Sequence, residues 1–199
     1  MMLEETMPDD IKITTELLYQ AALVFALMDA IFVTLLVWRV KEDSFRALQR
    51  SLTLAAALVW WGIWSWAIGN FWETVYIYVF PAWGQVWIPV IAFFAAGAVA
   101  PGLWWLAIRM RGNSILNHCL LGGALGGLTH IWAVHLGIVT KPPMLQGASP
   151  VAAVVIAFFE FIFYWCVILV LAMGMNWMRA VITRKNTPRQ RGAENNPGQ

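Results

Sequence analysis

Six ionisable side chains sit in otherwise apolar stretches of this 199-residue chain: Asp29, Glu73, His118, His130, His135 and Glu160. Placing such a group inside a membrane span costs at least about 2.5–3.5 kcal/mol, so each needs a partner or a task. Their types suit proton transfer. A carboxylate beside an imidazole in a low-dielectric site can trade protons with a bound molecule. The roles follow by depth: Glu160 as acid/base, His130 as its partner, Asp29 or Glu73 as a charge stabiliser.

Helical spacing groups these residues further. Glu160 and Tyr164 are at i and i+4, close enough to share a hydrogen bond or a ligand. Asn70, Glu73 and Thr74 are at i, i+3 and i+4 on one face, with Trp66 a turn below. Gly122, Gly123, Gly126 and Gly127 form two overlapping GxxxG pairs, a pattern of close helix contact. His130 shares that face and should point into the bundle. His135 lies about 140° further round and should meet water or headgroups. His118 lies near a basic loop and reads as structural or interfacial.

Other chemistry finds less support. His130, Glu160 and Asp29 or Glu73 are acceptable metal ligands, but their spacing carries no signature and HExxH is absent. All three histidines fall on one predicted helix, so they cannot face each other across a haem within the chain. No cofactor is therefore assigned. Cys119 and Cys166 show neither CxxC nor finger spacing and read as small core residues. There is no phosphate-binding loop and no nucleic-acid signature.

The elements that must hold these residues are helices. Hydrophobic residues make up 60% of the chain and charged ones 12%, against about 25% charged in a soluble domain. Five apolar runs are long enough for the roughly 30 Å of hydrocarbon: Leu17–Trp38, Ser51–Phe80, Val86–Ile108, Ile115–Val139 and Val151–Met178. They are too continuous for barrel strands. The expectation is an all-α, polytopic transmembrane bundle of five helices, one domain over residues 1–183, with a disordered basic tail over 184–199. The acidic start, Met-Met-Leu-Glu-Glu, is unlike a cleaved leader.

Charge sets the orientation. Of the 13 Lys and Arg, all but Lys12 and Lys141 fall in the 38–50 loop, at Arg109 and Arg111, or at the C-terminal end. That alternation puts the N-terminus outside and the C-terminus in the cytoplasm, as in a bacterial plasma (inner) membrane protein. The same excess is what contact with anionic lipid requires.

Residues 70–85 then face outside and carry Phe71, Trp72, Tyr76, Tyr78, Phe80 and Trp83. They form an interfacial aromatic belt or the mouth of an apolar site. The expected site lies beneath them, between helices 2, 4 and 5, with Asp29 as its floor. Glu73, Asn70, Trp66, Tyr164, Trp72 and His135 would line it. The function this implies is binding or non-redox conversion of a lipophilic small molecule. Two alternatives use the same residues: a proton- or ion-coupled transporter, or a non-catalytic subunit of a membrane complex, including a homo-oligomer. No inverted repeat supports the former.

Overall fold

The computed structural model describes residues 15–41, 45, 47–67, 82–135 and 149–186. Among them all regular structure is helical, in five helices: α1 (Thr15–Arg39), α2 (Gln49–Ala67), α3 (Ala82–Arg109), α4 (Ser114–His135) and α5 (Pro150–Asn186). Segments Tyr19–Arg39 of α1, Pro89–Arg109 of α3 and Pro150–Thr183 of α5 are long and apolar enough to cross a membrane. The chain is accordingly an integral membrane protein. Helices α2 and α4 are less apolar. One carries Gln49, Arg50 and Ser51, the other Asn117, three histidines and four mid-helix glycines.

Local chemistry sets the helix boundaries. Gly112 adopts φ +98, a conformation open to glycine, and turns the chain after α3. Asn113 then caps α4, its Oδ1 accepting from the backbone N–H of Ile115 at 3.0 Å and of Leu116 at 3.1 Å. Asn117 Nδ2 donates back to the carbonyl of Arg111 at 3.2 Å. Pro150 opens α5 as expected of a first-turn proline. Thr15, a candidate cap for α1, does something else. Its hydroxyl accepts from Ser149 N–H at 2.9 Å and ties the starts of α1 and α5 together.

One boundary differs from expectation and one cannot be compared. Helix α5 continues through Arg184, Lys185 and Asn186, so the first residues of the expected tail are helical. Arg and Lys are good helix formers, which suits this continuation. The second expected span ran to Phe80, but only its portion up to Ala67 lies within the described residues.

Arg39, Arg50, Arg109 and Arg111 gather where α1 and α3 end and α2 and α4 begin. The Arg109 guanidinium lies 3.9 Å from the centre of the Trp105 ring. We call this the basic end. Helix α5 is the hub, packing on α1, α2 and α4, while α2 packs on α3 and α3 on α4. A core of Leu36, Leu52, Ala100, Ile115, Ile168 and Leu169 fills the half near the basic end. Outward-facing Leu23, Leu27, Ile31, Phe94, Leu128 and Val170 are exposed, as a lipid-facing surface requires.

Candidate functional site

Helices α4 and α5 approach so closely that glycine is needed between them. A Cβ on Gly122 would lie 2.1 Å from Trp165 Cδ1, and one on Gly126 2.1 Å from Phe161 Cγ. The glycines thus seat Phe161 and Trp165, one turn apart, against α4.

Those two rings form one wall of a cavity of about 200 Å³. Each surrounding helix contributes residues at i, i+4: Trp60 and Trp64 from α2, Ala92 and Ala96 from α3, Leu125 and Thr129 from α4, Phe161 and Trp165 from α5. Small α3 side chains leave the space that the aromatic ones enclose. Trp60 lies 11 residues after the start of α2, about 16 Å from the basic end, so the cavity occupies the middle and far part of the bundle. Its lining is almost wholly apolar. The Thr129 hydroxyl donates to its own helix at Gly126 O, 3.0 Å away.

The Glu160–Tyr164 pair forms as the spacing implies, with the Tyr164 hydroxyl donating to Glu160 Oε1. Neighbouring rings locate it. Phe163 packs on Phe25 and Phe32 of α1, each at 5.8 Å between centroids. Tyr164 packs on Trp60 of α2 at 5.4 Å. The pair therefore sits on the face of α5 between α1 and α2. Trp60 also meets Phe161 at 4.9 Å and lines the cavity, so it partitions the cavity from the carboxyl pair.

Asp29 is 4% exposed, and among the described residues neither carboxylate oxygen has a hydrogen-bond partner. It does not line the cavity that was expected to rest on it; the lining comes from α2–α5, with α3 as an added wall. His130, His135 and Trp66 are placed on their helices, but their side chains lie outside the described residues, as do Asn70, Trp72 and Glu73 entirely. Among the described residues, no group of three or more His, Cys, Asp or Glu could hold a metal ion.

His118 is not interfacial. It is 0% exposed and stacks edge-on against Trp165 at 5.2 Å and Phe45 at 5.7 Å, with neither ring nitrogen bonded among the described residues. Its burial depends on Phe45, held by the Trp104 Nε1 donation to its carbonyl at 3.1 Å. A buried imidazole without partners carries a desolvation cost that an apolar ring of similar shape avoids. His118→Phe is expected to raise stability by about 1 kcal/mol, measured as an upward shift in thermal unfolding in detergent.

The sequence reading placed a site between helices 2, 4 and 5 but did not name the residues that line this cavity, and it left His118 open between a structural and an interfacial place. The i, i+4 aromatic pairs on α2 and α5 were the available signal for the cavity. No family model matches this chain, and neither does any curated protein or solved structure.

Proposed function

We infer that this protein binds an apolar small molecule in the cavity among α2–α5 and converts it by non-redox proton transfer at Glu160, which the molecule reaches when the Trp60 ring turns aside. The observation that carries this reading is the lining itself: four aromatic rings and small α3 residues border an open cavity of about 200 Å³. Binding sites of this kind are concave and mostly apolar, with a few polar groups for orientation. Glu160, hydrogen-bonded to Tyr164, adjoins the cavity through Trp60, which packs on Tyr164. A carboxylic acid that gives a proton at one carbon and removes one at another shifts a double bond without any redox step.

The setting is a five-span bundle with its N-terminus outside and its basic end in the cytoplasm, in a bacterial inner membrane. The arginine and lysine distribution supports that orientation. Ligand would enter from the bilayer or the far end.

The test is solvent isotope exchange. Protein purified with its bound compound and held in D₂O should pass deuterium into that compound. Glu160→Gln should slow the exchange roughly 100-fold or more while leaving the amount of bound compound unchanged. Exchange at the wild-type rate would remove Glu160 from the chemistry.

A further inference from the structure

Thr129 is the one polar residue of the cavity lining that the function proposed above leaves without a task. Among the lining side chains it carries the only hydrogen-bond acceptor, because the others are hydrocarbons or indoles, and an indole only donates. Its own proton is committed to Gly126 O at 3.0 Å. The lone pairs of Oγ1 are what it offers the cavity, so it takes a hydrogen bond and has none to give.

Its position is at the mouth. Ala95 and Val99 of α3 and Thr129 of α4 are the exposed residues of the lining. Ala95 lies 14 residues before the end of α3 and Thr129 15 residues after the start of α4, which puts both about 21–22 Å from the turn between these helices. At that turn the two helices are tied, Asn117 Nδ2 donating to Ala107 O at 3.4 Å. Among the described residues the cavity therefore opens between α3 and α4 in the half away from the basic end. Phe94 and Leu128, each next to a mouth residue, are 68% and 65% exposed and give the opening a lipid-facing rim.

We propose that the cavity selects a compact lipophilic alcohol, which enters between α3 and α4 and donates its hydroxyl proton to Thr129 Oγ1. The proposal rests on the reading of this cavity as a binding site and names the class of its ligand. Size sets the frame: a cavity of about 150 Å³ takes benzene, so about 200 Å³ open on one side suits fused rings of roughly ten carbons. Chemistry sets the group. A hydroxyl arrives neutral, whereas an aliphatic amine arrives charged and meets no counter-charge in this lining.

The experiment titrates three probes that share one ten-carbon frame, tetralin, 2-tetralol and 2-tetralone, into the full chain in a single detergent. The protein is first washed until mass spectrometry finds no bound compound, and calorimetry reads each affinity. Thr129→Val should weaken 2-tetralol roughly tenfold, since its hydroxyl is left unpaired in an apolar site, and should leave tetralin and 2-tetralone unchanged. Thr129→Ser, which restores the oxygen, should bind 2-tetralol as the wild type does. The Thr129 bond stays within its own helix, so both variants should keep the wild-type thermal unfolding. Unchanged 2-tetralol affinity in Thr129→Val, or equal weakening of all three probes, overturns the role of Thr129. Weakening of 2-tetralone alongside 2-tetralol makes Thr129 a donor and overturns the choice of an alcohol. Wild type that takes tetralin but not 2-tetralol overturns the alcohol and leaves the apolar cavity standing. Binding of none of the three overturns this proposal and the occupied cavity with it.

Discussion

Alanine at Gly122 or Gly126 is expected to force α4 away from α5 and cost about 3 kcal/mol at either position, the upper part of the range for overpacking a filled core. The atoms in the way are Cδ1 and Cγ of Trp165 and Cγ and Cβ of Phe161. They sit near the root of stiff side chains, so no rotamer change clears them. The helices must part, and dispersion contacts along the whole seam weaken together. Gly127→Ala is the internal control. Its Cβ would meet Val154 Cγ1 at 3.6 Å, an ordinary contact, and should be tolerated. Thermal unfolding of the three variants in one detergent separates these outcomes. Equal effects at Gly122, Gly126 and Gly127 would mean that the α4–α5 seam is looser than described.

The second large effect concerns the cavity. Ala95 lines it from α3 and is itself exposed, so a larger side chain there fills the space without entering the core. Ala95→Phe should weaken binding of the native apolar compound roughly 100-fold, which corresponds to about 3 kcal/mol. Stability should change little, because no buried contact is removed. Glu160 and Tyr164 are untouched, so a loss of ligand in this variant reports occupancy of the cavity alone.

Much of the helical layout was legible because lipid demands it. Long apolar runs punctuated by Arg39, Arg109, Gly112 and Pro150 leave little choice of boundary, and the described helices begin and end close to those residues. The Glu160–Tyr164 bond was legible too, since i, i+4 is a property of one helix. Relations between helices were not. Cys119 and Cys166 are 47 residues apart, and only the register of α4 on α5 brings their sulfurs together. His118 read as structural or interfacial from its basic neighbours; it is the former, and its burial depends on Phe45 reaching in from the segment between α1 and α2. The lining of the cavity escaped for a related reason. Trp60 and Trp64, or Phe161 and Trp165, look like any packing stripe until Ala92 and Ala96 are seen opposite them. Asp29 was marked as needing a purpose; it is buried and does not line the cavity.

The central claim, that an apolar molecule occupies the α2–α5 cavity, is tested most directly by mass spectrometry of solvent extracts from wild-type and Ala95→Phe protein purified in parallel. One apolar compound, near stoichiometric in the wild type and depleted in Ala95→Phe, is the result predicted here. Extracts that are identical, or that contain only bulk lipid in both, would contradict it.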